Sequence, residues 1–429
     1  MVILTANMKQ FYSPLFVISS LVILSGLFVV ISNTAFFHTT HSIAQTSIDQ
    51  SISRAQAVVE THPPLIKPYI ALASLYLQKI RETSDASYYT KIDELMNTAQ
   101  QIDPKDGDVL AIRASVALGR HDFKKGYIEI QKALALNTSR SAYWGLKGDA
   151  EIELGLYKEA VQSFQKMVDL RPDFSSWSRI AYIRELYGTV DGAKSALTSA
   201  ISSGSNYPEN IAWAYVEQGK LDMRSNPTTA LADFGNALTV LPSYTQAMEG
   251  IGKAEFALGN STEAETYFMR AYTGLPLAQY AVDLADLYSI RGDTTKSKQH
   301  LALAQVAYDT SRASGVNTDL EESLFMSDHD IDLAQAVEKA RRAYMERPSV
   351  YGADYLAWAL YKNGAIVEAS QLSPEALRLG TVDPLILYHQ GLIARALGDM
   401  IHAKAYLTKS YELNPHFSLL YAADLKKSI

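Results

Sequence analysis

The chain contains no cysteine among its 429 residues. This absence excludes disulfide bridges, thiolate nucleophiles and cysteine-ligated metal sites. It does not identify a compartment, because a cysteine-free chain suits an oxidising compartment while many cytosolic chains also lack bridges.

The sequence also lacks the common signatures of catalysis. It has no glycine-rich phosphate loop ending in Lys-Ser or Lys-Thr, no Gly-x-Ser-x-Gly elbow and no His-Glu-x-x-His helix. The densest set of potential metal ligands is Asp328, His329 and Asp330. Adjacent residues on a helix point in different directions, so these three could bind one ion only within a loop. We predict no catalysis, no cofactor and no metal site, with a metal enzyme at these residues as an open alternative.

Clustered positive charge is missing as well. Lys and Arg number 39 against 46 Asp and Glu, which gives a net charge of −7. The basic pairs Lys124/Lys125 and Arg341/Arg342 are isolated and are expected on solvated helix faces. Because phosphate binding depends on clustered Lys and Arg, we predict that nucleic acid is not a partner.

A recurring glycine is the most informative feature that the sequence does contain. Each of six glycines lies between two alanine-rich amphipathic stretches, and the gaps are about one or two times 33 to 36 residues. The six are Gly155, Gly188, Gly259, Gly292, Gly364 and Gly398. A fixed period in this range indicates a helical hairpin that is stacked many times, since one hairpin cannot bury its apolar face alone.

The clearest unit runs from Ser141 to Pro172. Trp144 and Gly148 share one stripe of a first helix, Gly155 breaks that helix, and a second helix begins at Tyr157. Ala160 and Phe164 continue the three-or-four spacing until Pro172 ends the unit. This alternation of large and small residues is typical of helices that pack ridge into groove.

These residues resemble the tetratricopeptide repeat. Two further good copies carry Gly252, Gly259, Ala264, Phe268, Ala271 and Pro276, and Gly391, Gly398, Ala403, Leu407 and Pro415. The resemblance implies an all-α, right-handed superhelical solenoid of about ten helix hairpins over residues 51–429, including capping helices. We expect a lengthened turn over Glu82 to Tyr88 and an irregular joint over Ser311 to Asp332.

The front of the chain has no Asp, Glu, Lys or Arg between Lys9 and Asp49. Thirteen residues within Leu15 to Ile31 are Leu, Ile, Val or Phe, which favours membrane insertion. We therefore predict an N-terminal tail over 1–12, a single transmembrane helix over 13–37 and a linker over 38–50. Lys9 precedes the span and Asp49 follows it. We therefore expect a single-pass protein of the cytoplasmic membrane, with the N-terminus on the cytoplasmic side and the repeats outside, in the periplasm or the extracellular space.

Two alternatives for this segment stay open. The first is a secretory signal peptide that is cleaved near Ala44, where Ser42 and Ala44 offer a small-x-small site. It would release a soluble secreted or periplasmic carrier, which could bind a polysaccharide or another non-protein ligand. The second is the inverted orientation, because the charge bias depends on Lys9 alone.

The resemblance also implies that the first helix of each hairpin lines a concave groove. The predicted partner-binding residues on those helices are Tyr182, Glu185, Lys253, Tyr351, Asp354, Trp358, Tyr361, Tyr388 and Arg395. Exposed aromatics with a few charges are the composition of protein-binding hot spots. The alternative for Trp358 and Tyr361 is packing against the following repeat. We predict a membrane-anchored, extracytoplasmic scaffold for protein or peptide partners, in the assembly of envelope complexes or in secretion.

Overall fold

The computed structural model describes residues 47–380 and 382–429. The predicted transmembrane helix over 13–37, the tail over 1–12, the Ala44 cleavage site and most of the linker lie outside the described residues. Within the described part of the chain, no helix combines the length and the apolar character that crossing a membrane requires.

The described residues form α-helices and no β-strand, which confirms the all-α prediction. The 23 helices are α1 (Ser47–Val59), α2 (Lys67–Thr83), α3 (Tyr88–Ile102), α4 (Gly107–Gly119), α5 (Phe123–Leu136), α6 (Ser141–Glu153), α7 (Tyr157–Leu170), α8 (Phe174–Leu186), α9 (Val190–Ser203), α10 (Pro208–Asp222), α11 (Pro227–Val240), α12 (Thr245–Ala257), α13 (Ser261–Gly274), α14 (Ala278–Ile290), α15 (Thr294–Ala313), α16 (Asp319–Asp328), α17 (Leu333–Glu346), α18 (Val350–Lys362), α19 (Ile366–Gln371), α20 (Ser373–Ala376), α21 (Pro384–Ala396), α22 (Met400–Leu413) and α23 (Ala422–Ser428).

From α2 to α22 the helices pair into ten hairpins that stack side by side as a solenoid. We call the first helix of each hairpin the inner helix and the second the outer helix. In the ninth hairpin the outer helix is divided into α19 and α20, where Pro374 removes a backbone donor. Helices α1 and α23 lie outside the hairpins at the two ends of the described array.

Most turns within the hairpins contain a residue with positive φ, and glycine usually supplies it. Gly155 has φ +71°, but His121 (φ 62°) and Asp330 (φ 54°) hold the same place in two other hairpins. These two turns were not marked by the glycine period. The predicted irregular joint over Ser311 to Asp332 is wrong, because this stretch contains the end of α15 and all of α16.

The two helices of a hairpin interlock through a small residue on the inner helix and a large one on the outer helix. A Cβ atom added at Gly148 would lie 2.6 Å from Cδ1 of Phe164, and one added at Gly252 would lie 2.5 Å from Cδ1 of Phe268. Both phenylalanines are fully buried. Close approach of the two helices therefore depends on the missing side chain.

The solenoid winds tightly enough for early repeats to contact late ones along a line that we call the seam. Nδ1 of His121 lies 2.7 Å from the carbonyl oxygen of Asn317, and the amide of Val350 donates to Oη of Tyr157 at 2.8 Å. Nε of Arg347 lies 2.5 Å from Oε2 of Glu153. The partners are 196, 193 and 194 residues apart, so one superhelical turn spans between five and six hairpins.

Glycine also fits the seam sterically. A Cβ atom on Gly155 would lie 2.5 Å from the carbonyl oxygen of Pro348, and one on Gly188 would lie 2.5 Å from Cγ2 of Val382. At Gly292, by contrast, no atom lies within 4 Å of an added Cβ. At these two positions the seam therefore leaves no room for a side chain.

The helix interlock predicts opposite effects for two mid-helix glycines. We expect Gly148→Ala to lower the free energy of unfolding by about 1–3 kcal/mol, because Phe164 must move. Gly235→Ala is the matched control, since nothing lies within 4 Å of its added Cβ. That variant should gain up to about 1 kcal/mol from helix propensity. Urea titration followed by circular dichroism measures both, and equal losses would contradict the interlock.

The seam predicts a second difference, between two turn glycines. Gly155→Ala and Gly292→Ala should each lose about 1–2 kcal/mol, because both backbones have positive φ. Only Gly155→Ala should also open the seam. Hydrogen exchange of the Val350 amide should become faster in that variant and stay unchanged in Gly292→Ala. Unchanged protection of Val350 in both variants would show that Gly155 does not support the seam.

Candidate functional site on the inner wall

The inner helices form a wall in which side chains of one helix pair with side chains of the next. Arg179 on α8 binds Asp149 on α6 through two bonds of 2.8 and 2.6 Å. Further pairs of this polar ladder are Lys253–Asp283 at 3.5 Å, Asp286–His329 at 2.9 Å, Asp354–His389 at 2.8 Å and Tyr388–Asp424 at 2.8 Å. These pairs join α6 to α8 and then recur along the inner wall from α12 to α23.

Three of the predicted residues meet on this wall although they are far apart in sequence. Tyr182 and Tyr351 pack against the same core cluster, and Glu185 lies one helical turn after Tyr182. Oη of Tyr351 lies 3.3 Å from Oδ2 of Asp383, and Glu185 forms an ion pair with Arg224. The seam brings α8 and α18 together and so assembles this group.

Burial raises the pKa of both tyrosines well above its usual value. The nearby carboxylates add to this effect, with Glu153 next in importance for Tyr182 and Asp383 for Tyr351. Burial also raises the pKa of Glu185. Both hydroxyls therefore stay protonated in a locally negative environment and can donate hydrogen bonds.

Sequence reasoning missed Tyr355, which belongs to the same group. Its ring centroid lies 6.3 Å from that of Tyr351, and it is half-buried. Burial raises its pKa, and Asp383 contributes next. The spacing of four from Tyr351 could have identified Tyr355, because residues four apart share a helix face.

Asp354, Trp358 and Tyr388 must be corrected, because the structure places all three in the core rather than on an accessible groove. Trp358 is 1% exposed and stacks on His389 with 4.1 Å between ring centroids. Its Nε1 donates to Oδ1 of Asp328 at 2.7 Å. The residues predicted on α18 are about one position out of register with its accessible face, so that most of them face α21.

The remaining predicted residues are spread over other parts of the wall. Tyr361 is half-buried and stacks on Trp358 of the same helix at 5.1 Å. It also packs against the core cluster that contains Tyr388 and Leu392 of the following repeat, which matches the packing alternative. Lys253 is half-buried and pairs with Glu249 and Asp283. Burial acts to lower the pKa of Lys253, but these two carboxylates outweigh it and the pKa is raised. Arg395 is half-buried on α21.

The side chains of Asp328, His329 and Asp330 do not converge on one point. Oδ1 of Asp328 accepts from Trp358 and from Oη of Tyr421, and Nε2 of His329 lies 2.9 Å from Asp286. Asp330 points outward and pairs with Lys362 at 2.8 Å. Across the residues that the structure describes, no group of three or more His, Asp or Glu side chains could hold a metal ion.

Comparison with known proteins identifies the repeat. Two tetratricopeptide-repeat models match, one over residues 209–281 and one over residues 141–174 and 385–417. No curated protein matches the chain.

Similar solved structures share low identity with the chain. They include the Cut9–Hcn1 hetero-tetramer of the APC/C (14% identity, 89% of this chain and 66% of that chain, TM-score 0.46). A second is the human IFIT1 dimer with PPP-AAAA (15% identity, 87% of this chain and 95% of that chain, TM-score 0.43). A third is a tetratricopeptide repeat protein from Parabacteroides merdae (12% identity, 62% of this chain and 97% of that chain, TM-score 0.42). At these identities and TM-scores, no function is transferred from them.

The burial of Trp358 predicts a folding defect rather than a binding defect. Trp358→Ala should lower the free energy of unfolding by about 3–5 kcal/mol, because a large cavity is left in the core. Trp144→Ala is the matched control. Because Trp144 is half-exposed, removal of its side chain should lower the free energy of unfolding by less. Denaturant titration measures both. If the Trp358→Ala protein is stable but no longer binds its partner, the prediction is wrong and Trp358 belongs to the binding surface.

Proposed function

Because the chain is a tetratricopeptide-repeat protein, we propose that it is a membrane-anchored scaffold whose inner wall binds a protein partner. The bound element is an extended peptide segment that carries Lys or Arg side chains. The observation that carries the proposal is the group formed by Tyr182, Tyr351 and Tyr355, which we call the tyrosine group. The proposal assigns no catalysis to the chain.

The tyrosine group has the properties of a binding hot spot. All three side chains are half-buried, so their rings are held in place while part of each surface remains accessible. Tyrosine buries a large area on binding, at low cost in side-chain entropy. The hydroxyl groups supply hydrogen bonds to a peptide backbone, which fits an extended segment laid along the inner helices.

The surrounding charge favours a basic segment. Asp383 lies close enough to raise the pKa of Tyr351 and of Tyr355. Glu153 and Glu185 also lie near the tyrosine group but are paired with Arg347 and Arg224. A cation placed over the tyrosine faces would be attracted by Asp383 and by the rings. The net charge of −7 acts in the same direction and supports our prediction that nucleic acid is not a partner.

Membrane attachment belongs to the same proposal. The apolar run within 13–37 supports a single anchor, and Lys9 and Asp49 support a cytoplasmic N-terminus with the repeats outside. A wall held at a membrane surface would collect partners for envelope assembly or secretion. Protease shaving of intact cells tests this directly, because the repeats should be cleaved from outside only in the proposed orientation.

The inner-wall proposal is tested by removing two of its tyrosines. The full-length double variant Tyr182→Ala, Tyr355→Ala should lose partners that are crosslinked to the wild-type chain in native membranes. Each hot-spot aromatic contributes about 2 kcal/mol, or roughly 30-fold in affinity. Synthetic peptides from the recovered partner, with and without its basic residues, then test the charge preference.

The matched control is the double variant Tyr267→Ala, Tyr411→Ala, because both residues lie on the outer helices α13 and α22. It should recover the same partners as the wild type. Equal recovery with the inner and outer double variants would reject the inner wall as the binding surface. Equal binding of basic and neutralised peptides would reject the charge preference alone.

A further inference from the structure

The solenoid has two edges, and the seam joins one to the other. One edge carries the turns within hairpins, which we call hairpin turns. The other carries the connections between hairpins, which we call linking turns. In the seam, the hairpin turns at His121, Gly155 and Gly188 lie against the linking turns near Asn317 and Pro348 and against Val382.

The hairpin-turn edge is apolar where the seam covers it. The second residue after the turn position is Phe123, Tyr157 or Val190 in the three seam repeats, and each is apolar or aromatic. Phe123 and Tyr157 are both buried at 4% exposure. The same position is Ser261 or Thr294 in the hairpins with turns at Gly259 and Gly292. In the hairpin with its turn at Asp330 the outer helix begins one residue later, so the equivalent residue is Leu333, and Asp332 caps the helix. The three covered turns are therefore apolar at this position, whereas two of the uncovered turns are polar.

The last two repeats are also apolar at this position, although the seam does not cover them. Their equivalent residues are Ile366 and Met400, followed by Val367 and Ile401. Met400 is 60% exposed, Val367 is 67% exposed and Ile401 is 83% exposed. No atom lies within 4 Å of a Cβ added at the turn glycine of either repeat, Gly364 or Gly398. These turns are apolar at the seam position, and at the next position they carry Val367 and Ile401 where the seam turns carry Lys124, Lys158 and Asp191. They lie uncovered in the described chain.

A matching apolar row lies on the opposite edge of the first repeats. Ile102, Leu136 and Leu170 are the last residues of α3, α5 and α7, and each directly precedes a linking turn. They recur at intervals of 34 residues, and all three are exposed. An apolar hairpin-turn edge and an apolar linking-turn edge are therefore both uncovered on one molecule.

We propose that a second copy of this chain covers each of these edges. The hairpin turns of the last two repeats of one copy bind the linking-turn edge of the first three repeats of the next, head to tail. The two surfaces differ, so the contact is heterologous and propagates into a filament or closes into a ring. The occupant is a second copy because the internal seam already pairs these two kinds of edge.

Site-directed crosslinking tests this proposal, since the chain has no cysteine of its own. Full-length Ile401→Cys is mixed with full-length Ile102→Cys, Leu136→Cys or Leu170→Cys in membranes and oxidised. At least one mixture should yield a disulfide-linked dimer that none of the single-cysteine chains yields alone. Val306→Cys is the control partner, because Val306 is exposed on the outer helix α15, away from both edges.

A charge at the proposed contact should abolish the product. Adding Met400→Glu to the Ile401→Cys chain should reduce the mixed dimer by about tenfold or more, whereas adding Val306→Glu should leave it unchanged. Circular dichroism and Val350 exchange verify folding of each variant. Failure to crosslink in all three mixtures would overturn the proposal. Dimers of Ile401→Cys with itself, matching the mixed dimers in yield, would overturn its head-to-tail geometry.

Discussion

The interlock of a bulky outer-helix side chain with a small inner-helix residue is the constraint on which the rest of the structure depends. Phe164 fits against Gly148 and Phe268 against Gly252, so the two hairpins have closely similar geometry. Each similar hairpin adds a similar rotation to the array. The sequence separation across the seam therefore stays within 193 to 196 residues over several repeats.

This constancy also explains how the array tolerates an irregular repeat. Helix α15 has 20 residues, several more than most other outer helices. The added length is helical and ends before Asn317, which still meets His121 at the seam. An insertion placed in a seam turn would instead shift every later contact. The extra residues of this repeat are therefore accommodated along its outer helix and not in a seam turn.

Sequence periodicity predicts the local structure of this protein better than its long-range contacts. The glycine period located six of the hairpin turns, and the spacing around Trp144 and Phe164 fixed the faces that pack together. His121 and Asp330 were missed because non-glycine residues with positive φ leave no periodic mark. Tyr182 and Tyr351 were selected separately, because no local pattern reveals that residues 169 positions apart become neighbours across the seam. Trp358 was misplaced because spacing defines a helix face without showing which neighbour covers it.

Charged pairs along the inner wall do more than neutralise buried groups. An apolar face could pack in several registers, whereas the two bonds between Arg179 and Asp149 fit only one. Such pairs cost desolvation free energy, so their value lies in fixing each inner helix relative to the next. Fixed helices hold Tyr351 on α18 beside Asp383, which directly precedes α21. A wall prepared in this way loses little conformational entropy when a partner binds, and that is the physical advantage of a scaffold over a flexible surface.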